Sequence, residues 1–65
     1  MVDYSQWVSI VRSEAERKGA DLTEFEENSA VVSVAAAVWN DRKQELQESS
    51  RDEAEAVASA EVNVR

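Results

Sequence analysis

The sequence predicts an all-α protein, and three observations carry that expectation. Pro is absent and Gly occurs once, at Gly19, so the 65-residue chain has one strong helix breaker. Trp7, Ile10, Val11 and Ala15 recur at helical spacing. Asp3 with Gln6, Thr23 with Glu26 and Ser50 with Glu53 repeat the spacing of a capping box, which marks helix starts. The expected architecture is a helical hairpin of a short helix 1 and a long helix 2. A short third helix or helical extension and an extended C-terminal tail follow. Residues 1–60 form a single small domain and residues 61–65 the tail.

Helix 1 is expected from Tyr4 or Ser5 to Lys18, with Asp3 as N-cap. Arg17 and Lys18 stand where the helix dipole favours cations. Gly19 suits the left-handed position just past the helix end, where a side chain is disfavoured. Ser5, Ser9 and Ser13 lie four apart opposite Trp7, Val11 and Ala15, so they face water.

Helix 2 is expected from Thr23 as cap to about Ser49, with Leu22 placed to staple the first turn. At 1.5 Å per residue it is about 40 Å long, more surface than helix 1 covers. Its run Ala30-Val31-Val32-Ser33-Val34-Ala35-Ala36-Ala37-Val38-Trp39 is apolar but for one serine. A helix apolar nearly all round is expected to be buried on several sides. Two stripes merge in it. Phe25, Ser29, Val32, Ala36, Trp39, Lys43 and Leu46 alternate steps of four and three, an imperfect heptad seam with Ser and Lys inside it. Val31, Val34, Ala35, Val38 and Arg42 make the second. Ser29, Ser33 and Ala37 are small residues four apart, a pattern that admits close helix approach. The polar stretch from Asp41 to Ser50 is expected to be solvated on most sides.

Ser49-Ser50 marks a break, with helix 3 starting at Arg51 and carrying Ala54, Val57 and Ala58 on a weak apolar face. One continuous helix from Thr23 to Ala60 is the alternative. From Ala60 to Arg65 the chain alternates apolar and polar, the period of an extended segment. Such a tail needs something outside the chain to order it.

The composition narrows the function. With neither Cys nor His, disulfides are impossible and zinc, haem and iron–sulfur sites have almost no ligands. No cofactor or metal is expected. A nucleophile must be Ser or Thr, and no cleft between short helices separates the pKa values of carboxylates such as Glu24, Glu26 and Glu27, or Asp41 and Glu45. No catalytic residue is expected, and the chain reads as a non-enzyme without a small-molecule substrate. Acidic residues outnumber basic ones 14 to 7, leaving a net charge of −7. The basic pairs Arg17-Lys18 and Arg42-Lys43 are too sparse to hold a phosphate backbone, so neither nucleic acid nor membrane is expected as a direct partner. No signal peptide or membrane span is expected, and the predicted location is the cytoplasm or a particle assembled there.

Abundant acids, five Arg against two Lys, and ten Val with ten Ala resemble the composition of salt-adapted proteins, whose carboxylates keep them hydrated. Val, Ile, Leu and Phe total 14 residues, thin material for a core, so Trp7, Trp39, Phe25 and Tyr4 must supply much of the buried area. A chain this small is marginal alone and is usually supported by disulfides, a metal or association. Association is what remains. The expected role is a small acidic assembly subunit, bound to copies of itself or to a larger scaffold such as a virion. The expected interface is Phe25, Val31, Val32, Val34, Ala35, Val38, Trp39 and Leu46, with Val62 and Val64 of the tail adding to a partner's sheet edge. The alternative is an acidic regulator that occupies a basic surface of a partner, one built for nucleic acid.

Overall fold

The computed structural model describes residues 2–23 and 25–62, with the side chains of 25–27 outside the description. The described residues form three helices and no strand: α1 (Tyr4–Arg17), α2 (Phe25–Glu48) and α3 (Arg51–Glu61). α1 packs against both of the others, while α2 and α3 touch each other little. Tyr4 of α1 meets Trp39 of α2, and Trp7 reaches Ala35, an earlier residue of α2. The two helices thus run past each other in opposite senses, an arrangement compatible with the expected hairpin.

Local chemistry accounts for the ends of α1. The Asp3 carboxylate accepts the Gln6 amide at 2.8 Å, and the Gln6 side chain accepts the Asp3 amide at 3.1 Å, which completes the capping box. At the other end, Gly19 N–H donates to Glu16 at 3.0 Å and Ala20 N–H donates to Ala15 at 3.0 Å. That pair of bonds is a Schellman closure, and it requires the positive φ of 99° found at Gly19. The Thr23 hydroxyl donates to Asp21 at 2.6 Å and its amide to the same oxygen at 3.1 Å, which folds the link into an Asx turn. The capping box expected of Thr23 and Glu26 lies outside the described residues.

Ser50 caps α3, its hydroxyl accepting the Glu53 amide at 3.2 Å with an extended backbone at Ser50 itself. The continuous helix from Thr23 to Ala60 is therefore excluded. A capped end with extended φ and ψ interrupts the i to i−4 ladder, so α3 sets off in its own direction. Ser49, just before it, is buried and donates to the Leu46 carbonyl at 2.7 Å.

α3 runs further than expected. Glu61 is helical, and Val62 is the C-cap, only 7% exposed, with its N–H on the Ala58 carbonyl at 2.8 Å. Lys18 lies across this end, its ammonium donating to the Val62 carbonyl at 2.8 Å and to the Ser59 carbonyl. A cation on the last carbonyls of α3 satisfies acceptors the helix itself leaves open and complements its dipole. Val62 is thus held by the chain itself. Residues 63–65, with Val64, lie outside the description.

The core joins Trp7, Ile10, Val11 and Ala15 of α1 to Val31, Ala35, Trp39 and Leu46 of α2, Ala54 and Ala58 of α3, and Val2 and Val62 at the flanks. Trp7 is wholly buried, and its indole N–H donates to the Ala35 carbonyl at 2.9 Å. That bond lets the largest side chain of the core enter without an orphaned donor. No buried side-chain N or O among the described residues lacks a partner. The radius of gyration, 10.9 Å, is that of a folded chain of this length, about 11 Å. The chain therefore assembles a core of its own.

Candidate functional site

Which side of α2 the core takes decides which side is left. Buried Val31, Ala35 and Trp39 are spaced four apart and centre on one face. Val34 and Val38, half-buried, lie on one edge of that face. At 100° per residue the opposite edge carries Val32, Ala36 and Ser29, and the back carries Ala30, Ser33, Ala37 and Asn40. Val32 is 39% exposed, Ala36 is half-buried, and Ser29, Ala30, Ser33, Ala37, Asn40 and Lys43 are exposed.

Within the chain one face of the apolar run is covered, and the outer face is open. The heptad seam is not the stripe that the core takes. Only Trp39 and Leu46 of it are buried, while Ser29, Val32 and Lys43 face out. The physical reason is that α1 approaches from the side of the second stripe, with Trp7 on Ala35, and a helix offering two apolar stripes buries the one its neighbours reach. Of that second stripe, Val31 and Ala35 are buried.

α2 also bends where no bend was expected. Arg42 has φ −125° and ψ 28°, outside helical values, so the helix is two segments joined at a kink. No Pro, Gly or Ser stands there; Asn40 and Asp41 precede it, both weak helix formers. Beyond the bend Leu46 is fully buried, and Gln47 and Glu48 lie beside Val2, Asp3 and Gln6 around an open depression. Arg42 itself reaches Glu61 of α3 at 3.8 Å. The remainder of Asp41–Glu48 is solvated, as its polarity predicts.

The open edge of α2 continues onto α1. Tyr4, 42% exposed, sets its ring against Trp39 at 5.6 Å between centroids and 65° between planes, an edge-on contact. Tyr4 and Val32 are the exposed large apolar residues among those described. From Asn28 to Asn40 no residue carries a charge, in a chain with net charge −7. The result is an uncharged surface of small and apolar side chains, with Tyr4, Val32 and Ala36 as its apolar elements.

The expected interface residues therefore divide. Val31, Ala35, Trp39, Leu46 and Val62 belong to the chain's own core, because α1 and α3 reach them first. Val34 and Val38 are half-buried on the edge beside that core, and Val32 is on the open edge. The Phe25 side chain and Val64 lie outside the description. Tyr4, Ala36 and Ala37 extend the open surface and were not among the expected interface residues. Tyr4, a large aromatic in the first turn of a helix, and Ala37, spaced four apart from Ser33, carry a sequence signal for that role.

Elsewhere the surface offers little to chemistry. A depression of about 410 Å³ beside the link is lined by Arg12, Glu16, Asp21 and Thr23 among others. The two hydrogen bonds from Thr23 hold the Asp21 carboxyl below its usual range, first through the hydroxyl and then through the amide. A carboxylate held ionised in this way is a poor proton donor or acceptor near neutral pH. On α1, Arg17 is raised from its ordinary value by its hydrogen bond to Glu14 and then by that charge, which marks a surface ion pair. Among the described residues no group of acidic side chains is gathered for a metal ion, and no helix is long and apolar enough to cross a membrane. Comparison with protein-family models, curated proteins and solved structures finds no match to this chain.

Proposed function

We propose that this chain is a non-enzymatic assembly subunit, a component of a multisubunit particle that docks onto protein through the open face of α2. The uncharged stretch from Asn28 to Asn40, half of whose circumference the chain leaves uncovered, carries this reading. Elsewhere on a surface with 14 acidic residues, charge maintains hydration and discourages unspecific contact. On the open face of α2 it is missing. Ser29, Ser33, Ala36 and Ala37 let a partner helix approach closely, and Val32 and Tyr4 supply apolar area.

Site-specific photocrosslinking in the native source tests the reading. A photoreactive residue at Val32 or Ala37 is expected to give discrete protein adducts, and one at the exposed Asp52 of α3 is expected to give none. Equal labelling from all three positions, or none from any, refutes docking through α2.

A further inference from the structure

We propose that α3 is a hinged latch: it leaves α1 and returns as a unit about Ser49-Ser50 while α1 and α2 stay paired, and the Lys18 ammonium holds it shut. The buried residues of α3 are Ala54 and Ala58, with Val62 at its cap and Val57 half-buried. Methyl groups and two valines therefore carry its docking. The aromatic contacts, Trp7 on Ala35 and Tyr4 on Trp39, both lie between α1 and α2. Burial favours docking in proportion to the apolar area hidden, so α3 is the most weakly held of the three helices. It touches α2 little, which leaves α1 as its main seat. What α3 lacks in apolar contact is supplied as charge at its C-terminal end. Lys18 donates to the carbonyls of Ser59 and Val62, Arg17 donates to the Ser59 hydroxyl at 3.3 Å, and Arg42 stands 3.8 Å from Glu61. Lys18 dominates this clasp. It serves two carbonyls that the helix leaves open, and bonds from a charged donor are the stronger kind. Arg17 is shared with Glu14, and the Arg42–Glu61 pair is exposed, where such pairs contribute little. At the other end the bonds divide between Ser49 and Ser50. Ser49 is tied back to the Leu46 carbonyl of α2, and Ser50 is tied forward to the Glu53 amide of α3. The pivot falls between them, and opening breaks neither bond. Opening uncovers Ile10, which lies seven residues before Arg17 and so on the same side of α1. Ile10 is 2% exposed in the closed chain. Off α1, a helix of 11 residues is too short to persist in water, so α3 unwinds as it opens.

Residue-resolved amide hydrogen exchange of the full chain reads this out, because partial opening and global unfolding expose different amides. In wild type, the amides from Ala54 to Glu61, corrected for intrinsic rates, are expected to exchange about tenfold faster than that of Val11 in α1. Lys18→Gln removes the charge at an exposed site and is expected to speed exchange in α3 by about a further tenfold while leaving Val11 unchanged. Lys18→Arg keeps a cation and its donors and is expected to hold α3 within about twofold of wild type. Equal protection of α1 and α3 in wild type overturns the latch, as does a Lys18→Gln variant that speeds both helices by the same factor, since α3 then opens only when the whole chain unfolds. A Lys18→Arg variant as open as Lys18→Gln overturns the assignment of the clasp to the charge at this position.

Discussion

α1 and the centre of α2 are both helices with apolar residues on every turn, yet they specify their surroundings very differently. In α1 the large side chains Trp7, Ile10 and Val11 fall on one face with Ala15, and Ser5, Gln6, Ser9, Arg12, Ser13 and Glu16 fall on the other, all exposed. One orientation then has far more to gain from burial than any other. In α2 between Asn28 and Asn40 the residues are Val, Ala, Ser and one Trp almost all round, so several orientations bury similar area. The lesson is that contrast between faces, more than total apolarity, fixes how a helix docks. A helix without contrast takes its orientation from its neighbours and leaves a second face uncovered.

The largest expected effect lies on the α1 side of that comparison. Trp7→Ala removes the fully buried indole and leaves its site in the middle of the core; such changes cost about 3–5 kcal/mol. A core this small supplies about that much in total. The variant is expected to be largely unfolded in dilute buffer by circular dichroism, and cooperative unfolding at the wild-type midpoint would show that α2 and α3 hold together without this anchor.

A matched pair on α2 sharpens the contrast between its two faces. Ala35 is fully buried beneath Trp7, whereas Ala37 is exposed. Ala35→Leu overfills the contact and is expected to destabilise by about 1–3 kcal/mol. Ala37→Leu is expected to stay within about 0.5 kcal/mol. Urea unfolding of both measures the difference, and equal losses would mean that the outer face of α2 is packed in the isolated chain.

Capping changes test whether the well-specified helices owe their ends to local bonds. Asp3→Ala and Ser50→Ala are each expected to cost about 1 kcal/mol, since each leaves a first-turn amide without its acceptor. The losses are expected to add, because the caps sit on different helices with no shared partner. Marked non-additivity would show that α1 and α3 exchange strain through Lys18.

The smallest effect concerns the link. With Thr23 donating to it, the Asp21 carboxyl titrates below its ordinary range, so the folded chain releases that proton more readily than the unfolded one. Its contribution to stability is fully present above the unfolded carboxylate pKa of about 3.9 and is lost as pH falls through the lower folded value. Thr23→Val is expected to move the Asp21 midpoint up towards its ordinary value in an NMR titration of the side-chain carbon. An unmoved midpoint would place the cause elsewhere than the Thr23 hydroxyl.

Much of the fold was legible because its signals are local. Asp3 with Gln6, Gly19, and Ser50 with Glu53 act across three or four residues, and each lies where the spacing places it. The buried face of α1 was legible for the same reason, as was the solvated stretch after Trp39. The candidate site was legible only as a region. Ala30–Trp39 stands out in the sequence, but the division of Val31 and Ala35 from Val32 and Ala37 does not, because all four are small apolar residues on a helix that favours no side.

The amino-acid sequence by itself determined the helices, the caps of α1 and α3 and the uncharged stretch of α2, because these rest on bonds and periodicities shorter than one or two turns. Only the tertiary structure decided which stripe of α2 is core, where that helix bends at Arg42, and that Val62 is held inside the chain. Those outcomes depend on partners far apart along the chain: Trp7 on Ala35, Lys18 on the end of α3, Arg42 on Glu61. No local pattern encodes such pairings, since each forms only once the three helices have reached one another.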